Sequence, residues 1–198
     1  MMVDFQNSKT KDNLMRAFAG ESQARNRYTF AAGQAEQARL HMLAEIFTFT
    51  ANQELAHARV FYDYLTELAG QTIAVDGTYP VNLADNLLDL LHMAQHNEMD
   101  EFESVYPQFA RIANDEGYGA VAASFQMIAR IEETHARRFQ HLARRMEQNQ
   151  LFAASGEEVW MCLNCGHLHK GRQVPEQCPV CRHNQGFFVP LAMAPWTC

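Results

Sequence analysis

Apolar residues recur at alternating intervals of three and four along most of residues 8–149, which is the spacing of one buried helix face. The pattern predicts four long helices, over about residues 8–36, 40–69, 82–116 and 118–148. They are separated by a break near residues 37–40, by the long crossover AGQTIAVDGTYPVN at 69–82, and by Gly117. Gly70 reads as the residue just past a helix end, Tyr79-Pro80 as an extended approach, and Asn82 as the N-cap of the third helix. Pro107 falls inside that third helix and is expected to kink it.

The predicted inward faces are not purely apolar. The fourth helix carries Val121, Phe125, Ile128, Glu132, His135, Phe139, Leu142 and Met146 on one continuous stripe, and the second carries Phe47, Thr50, Glu54, His57, Phe61, Tyr64 and Leu68. On the third the stripe runs through Leu87, Leu91, Ala94, Glu98, Glu101, Val105 and Ile112, and on the first through Leu14, Ala17, Glu21, Ala24 and Tyr28. All four helices therefore place carboxylates on a core face, where an isolated charge costs several kcal/mol unless it is compensated. Arg25 could offset one, but Arg59 and Arg137 fall two residues after the histidines and point away from the stripe.

Two octets share the pattern Glu-x-x-His-Ala-Arg-x-Phe: ELAHARVF from Glu54 and EETHARRF from Glu132. Glu and His three apart stand one turn apart on the same helix face, so both reach one ion. One Glu from each of two helices with Glu-x-x-His from each of the other two is the recipe for a dinuclear iron or manganese site. The spacing supports a duplicated helix pair, with 33 residues from Glu21 to Glu54 and 34 from Glu98 to Glu132. By that symmetry Glu98 is the counterpart of Glu21, and Glu101 is a surplus carboxylate one turn on. His92 and His96 read as a solvent-facing pair, and His41 and His141 as surface residues. Tyr28, seven residues after Glu21, and Tyr106 read as core residues with hydroxyls near the site, and Tyr28 is expected to bond a ligand.

After residue 149 the helical periodicity stops. Residues 150–158, QLFAASGEE, read as a linker, and residues 159–198 as a second, small domain rich in Cys, Gly and Pro. Cys162-x2-Cys165 and Cys178-x2-Cys181 form a four-thiolate tetrahedral site that could hold iron or zinc. His167, His169 and His183 flank a tetrahedron already complete, and Cys198 is left unpaired.

The net charge of −7 speaks against a nucleic-acid or anionic-membrane partner. The first residues carry no apolar signal segment and no stretch is apolar for about 18 residues, so a cytoplasmic protein is expected.

In AFAGESQARNRY, NQELAHARVF, YPQFARIANDEGY, EETHARRF and the paired cysteine knuckles, in this order, the chain resembles rubrerythrin along its length. It departs at His167, where an aromatic is frequent, and at Arg182, where free-standing rubredoxins usually carry Gly. The resemblance implies a ferritin-like bundle followed by a rubredoxin-like domain, with two non-haem irons in the first and one iron in the second. It implies a peroxidase that reduces hydrogen peroxide to water, with electrons from a rubredoxin or an NAD(P)H-linked reductase, acting as a homodimer in oxidative-stress protection. Glu54 and Glu132 would bridge the irons, Glu21 and Glu98 would be terminal, His135 would hold the second iron, and Glu101 would exchange with His57. The alternative is an iron-oxidising or iron-handling bundle with a structural zinc knuckle.

Overall fold

The computed structural model describes residues 3–194, so Cys198 lies outside the described residues. Helix α1 spans Lys9–Gln37 and opens on Ser8, whose hydroxyl oxygen accepts the Lys11 amide at 3.0 Å. The Glu116 carboxylate accepts the next free amides, from Lys9 and Thr10, at 3.0 and 2.8 Å, placing negative charge at the positive end of the helix dipole. Helix α2 spans His41–Asp63, shorter than its periodicity predicts. The chain tightens there into a 3-10 turn at Thr66–Leu68, which brings both Leu65 and Leu68 into the core.

The third predicted helix is where sequence and structure differ most. Helix α3 begins only at Leu87, because Asn86 rather than Asn82 caps it, accepting the Asp89 amide at 2.9 Å. Asn82 instead accepts from Arg27 at 2.9 Å and from Asn97, which ties the crossover to α1 and α3. Helix α3 ends at Asp100, a π-helical turn occupies Glu101–Val105, and α4 runs Tyr106–Asp115. Pro107 sits in the first turn of α4, directly after the widened turn, where its ring and missing N–H are accommodated and the helix is interrupted as expected.

One extra residue in that turn rotates everything after it. The predicted stripe positions Val105 and Ile112 are only half-buried, and Tyr106, Ala110 and Ala113 take their place in the core. No such slip occurs on α5, Gly119–Glu147, where Val121, Phe125, Ile128, Glu132, His135, Phe139 and Leu142 are all buried as predicted.

Helix α1 packs on α2, and α3 with α4 on α5. Two apolar clusters result, one around Tyr28, Phe47, Leu91 and Phe139, the other around Leu14, Phe61, Tyr106 and Phe125. The ionisable layer lies between them. The four-helix bundle and the small cysteine domain are thus both present.

The small domain is a three-stranded antiparallel sheet in the order β2-β1-β3, with β1 at Ala153–Cys162, β2 at Leu168–Gln173 and β3 at Phe188–Pro190. Strand β1 already begins inside residues 150–158, so that segment is not a loose tether. Leu151 is buried with Val189 and Ala194 against the bundle cluster, and the Arg145 guanidinium from α5 reaches Glu158 at 3.0 Å and covers the Trp160 ring. The domain also seats on the α1–α2 turn, where His41 stacks on Phe187 at 4.0 Å between ring centroids. The sequence reading of His41 as a plain surface residue is corrected by this stack. At Gly186 the backbones touch so closely that a Cβ would fall 1.9 Å from the Arg39 carbonyl oxygen. Gly186→Ala is therefore expected to destabilise the docked domain by about 1–3 kcal/mol, read by denaturant unfolding of the full chain. An unchanged unfolding midpoint would count against this contact.

Candidate metal centres

The two octets meet face to face. The His57 Nδ1 stands 3.0 Å from Glu54 Oε2 and 2.9 Å from Glu132 Oε1, and the His135 Nδ1 stands 3.0 Å from Glu54 Oε1 and 2.8 Å from Glu132 Oε2. Glu54 and Glu132 thus each send one oxygen to each histidine. Glu21 joins the His57 side at 3.8 Å, and Glu98 joins the His135 side at 3.2 Å. Two donor groups follow, Glu21-Glu54-His57-Glu132 and Glu54-Glu98-Glu132-His135, sharing two carboxylates. The imidazole rings are nearly parallel, with centroids 5.7 Å apart.

All six side chains are buried, and Glu132 and His135 are fully so. Glu21 Oε2, Glu54 Oε1 and both Glu132 oxygens face the imidazole Nδ1 atoms without a well-aligned hydrogen bond, although a buried carboxylate oxygen without a partner costs several kcal/mol. Arg25 is exposed and compensates none of them. Arg59 and Arg137 pair with Asp63 and Glu133 on the outer surface. Unpartnered oxygens converging with two imidazole nitrogens are the donor set that hard or borderline cations take, so the residues fit two divalent metal ions.

Without metal, protons serve as the counter-charge. Burial pushes Glu21 up to about 8 and Glu132 well above its ordinary value, and the carboxylates around the two imidazoles raise His57 to about 10 and His135 to about 11 against the opposing effect of burial. Glu54 goes the other way, to about 2: burial would raise it, but the two histidines bonding it prevail.

A second set of contacts orients these groups. The Tyr28 hydroxyl donates to Glu98 and the Tyr106 hydroxyl to Glu21, each reaching across to the other helix pair. The expectation for Tyr28 is met. Tyr28 lies seven residues after Glu21, whereas Tyr106 lies eight after Glu98, and the extra residue is the one the π turn absorbs. The sequence did not reveal Gln53 and Arg138, which lie off the stripes. Gln53 Oε1 receives Arg138 at 3.3 Å and sits 3.0 Å from His135 Nε2, so it accepts the Nε2 proton and leaves Nδ1 to face the carboxylates.

Glu101 belongs to neither donor group. It sits in the π turn, half-buried, on the wall of a cleft that also contains Tyr106. Burial, then Glu21 and Glu98, hold its carboxyl well above the ordinary range. His92 and His96 are both exposed, and His92 pairs with Glu147 at 3.0 Å.

In the small domain the Cys162 and Cys181 sulfurs are 3.7 Å apart and those of Cys165 and Cys178 are 3.6 Å apart. A tetrahedron with metal–sulfur bonds of ~2.3 Å has edges of ~3.8 Å, so the four thiols fit one ion. The knuckles differ electrostatically. Burial pushes the Cys162 thiol up to about 12, while the His183 backbone amide holds Cys181 down to about 5. Gly166 and Arg182 close equivalent turns, both at positive φ, 76° and 65°. His167, His169 and His183 stay outside the cysteine group.

Residues 12–143 match the family model described as Rubrerythrin, and residues 160–189 match the one described as Rubrerythrin, rubredoxin-like domain. The chain is 39% identical over 193 residues to Rubrerythrin-1 of Clostridium acetobutylicum, covering 96% of this chain and 98% of that one. It is 38% identical over 193 residues to Rubrerythrin of Nitratidesulfovibrio vulgaris, covering 97% and 99%. The structure of nigerythrin in its mixed-valence state superposes with a TM-score of 0.62 at 27% identity, covering 96% of this chain and 91% of that chain.

Raised histidine values contribute stability that is complete below the ordinary pKa of about 6.5 and is lost as pH rises through the folded values near 10 and 11. The metal-free protein is expected to lose thermal stability between about pH 7 and 10, while the metal-loaded protein, whose Nδ1 atoms no longer carry that proton, holds its Tm. Calorimetry of both forms checks this, and a metal-free Tm that rises over the interval contradicts it. Tyr28→Phe is expected to shift the absorption bands of the loaded bundle site by removing the donor on Glu98, and unchanged bands would remove that role.

Proposed function

Because the chain belongs to the rubrerythrin family, with its di-iron bundle and rubredoxin-like domain, we propose that it is a peroxidase reducing hydrogen peroxide to water. Electrons reach the bundle through the four-cysteine site, from a rubredoxin or an NAD(P)H-linked reductase. The observation that carries this reading is the pair of carboxylates, Glu54 and Glu132, each dividing its two oxygens between two histidine-bearing halves. Such sharing suits two metals held side by side, with Glu21 and His57 completing one half and Glu98 and His135 the other.

Two ferrous ions held there supply the two electrons that cleavage of one O–O bond consumes. The protein groups do the rest. Tyr28 and Tyr106 hold Glu98 and Glu21 in place by their hydroxyl bonds, and Gln53 fixes the His135 tautomer. Phe47, Phe61, Phe125 and Phe139, all fully buried above and below the layer, exclude bulk water from it.

Glu101 is the reserve carboxylate of this reading, the residue that would exchange with His57 at a bound metal. Its place supports that role, since it stands outside both donor groups and shares a cleft wall with Tyr106, whose hydroxyl bonds Glu21 of the His57 half. In this reading the cysteine tetrahedron holds iron, since a redox-silent zinc there would pass no electrons.

Stopped-flow mixing of the fully reduced protein with hydrogen peroxide is expected to oxidise both centres at least about tenfold faster than mixing with dioxygen, a barrier difference of about 1.4 kcal/mol. Equal or faster oxidation by dioxygen would favour the iron-handling alternative, as would a colourless cysteine site. Glu132→Ala, which removes an oxygen from each half, is expected to abolish iron loading of the bundle and to leave the red ferric cysteine site intact.

A further inference from the structure

We propose that the cleft beside Glu101 binds the organic group of an alkyl or aryl hydroperoxide, and that Gly20 keeps this site open. The proposal rests on the peroxidase reading and adds a substrate class to it.

The cleft lies between α1, the end of α3, the π turn, α4 and the crossover, and its volume is about 670 Å³. Hydrogen peroxide needs little more room than water, whose share of liquid volume is about 30 Å³, whereas organic ligands occupy sites of about 300–1,000 Å³. Its apolar lining is Ala17, Gly20, Val105, Phe109 and Tyr79, a face suited to a hydrocarbon group, and polar side chains such as Gln23, Asn97 and Gln108 share the rim. Its floor carries Glu101 and Tyr106, and the Tyr106 hydroxyl bonds Glu21 of the His57 half. A hydroperoxide lying here directs its O–O group towards the carboxylate layer and leaves its organic end in the cleft.

The outer wall is tied down. Arg16 donates to the Asp76 carbonyl at 2.9 Å and to its carboxylate at 2.8 Å, and the Tyr79 hydroxyl donates to the Arg16 carbonyl at 3.1 Å. These bonds tie the crossover to α1 over the cleft, and side chains on the cleft walls set the room inside it.

Gly20 is the informative position. It lies in the middle of α1, is buried, and has an ordinary helical backbone. A Cβ there would meet only the Tyr79 ring, at 3.7 Å, an ordinary contact. Glycine in a helix interior costs about 1 kcal/mol relative to alanine, and neither backbone strain nor close packing requires it here. What it provides is the absence of a side chain on the cleft wall, one residue before Glu21.

The reaction balances as a hydroperoxide plus two electrons and two protons giving an alcohol and water. The O–O bond breaks, the electrons come from the bundle irons, and the NAD(P)H-linked donor restores them through the cysteine site. The alcohol leaves by the cleft.

The test uses Gly20→Leu and Gly20→Ala in the full chain. In wild type, 2-phenyl-2-propanol, the alcohol product of cumene hydroperoxide, is expected to bind the metal-free protein, as read by NMR shifts of cleft residues, and Gly20→Leu is expected to abolish that binding. In the iron-loaded protein Gly20→Leu is expected to lower kcat/KM for cumene hydroperoxide by at least about tenfold and to leave that for hydrogen peroxide within about twofold. Gly20→Ala, which the helix favours, is expected to fold at least as stably and to show a smaller loss in the same direction. No binding of the alcohol to wild type, or equal losses for the two peroxides, overturns the proposal. A protein that binds the alcohol but reduces neither peroxide overturns the peroxidase reading and the substrate assignment with it, whereas one that reduces hydrogen peroxide alone overturns only the proposal made here.

Discussion

The fold is organised around four buried carboxylates packed against two buried histidines. Glu21, Glu54, Glu98 and Glu132 meet His57 and His135 in one layer, and several of their oxygens lack a well-aligned hydrogen bond. Desolvation of these groups opposes folding, and only bound cations or shared protons relieve it. The aromatic clusters on both sides of the layer provide the apolar burial that holds it closed, and the same clusters keep it dry. Stability and chemistry are therefore coupled at one place: a metal that binds the layer also removes its main electrostatic cost.

The two halves of that layer are related by an approximate repeat, and the π turn at Glu101–Val105 breaks the repeat. Its one additional residue lets Tyr106 reach Glu21, as Tyr28 reaches Glu98, although the two tyrosines stand at different spacings from their own helix's glutamate. The same turn carries Glu101, which lines the cleft beside the layer. A near-symmetric donor set with a cleft on one side gives its two halves different surroundings. π turns carry poorer hydrogen-bond geometry than α turns, and their persistence at functional sites follows from repositionings of this kind.

The small domain behaves as part of the same body. Arg145 over Trp160, His41 on Phe187 and the close backbone approach at Gly186 fix it at one end of the bundle. Its cysteine cage is closed by amides and by two turns at positive φ, one of which accepts an arginine, Arg182, in a conformation that suits glycine better. The exposed edge of the cage is at Cys165, while Cys162 and Cys178 are buried.

The sequence by itself determined the helices, the ligand types and the cysteine cage, because each is written in local spacing. Three- and four-residue intervals mark buried faces, Glu-x-x-His marks one turn of one face, and Cys-x2-Cys marks a knuckle, none of which needs a distant partner to be read. Reading failed where a distant partner or a change of period decided the outcome. Asn82 resembles a cap but is taken up by Arg27 and Asn97 from other helices, and the face of α4 slips by one residue because α-helical periodicity cannot anticipate a π turn. Gln53 and Arg138 carry no periodic signal, and become legible only when α2 and α5 pack and bring them to His135. Which oxygen of Glu54 faces which histidine, and whether Glu101 lies in the layer or beside it, was decided by tertiary packing alone. Those are questions of side-chain direction across helices, and spacing along one helix does not contain the answer.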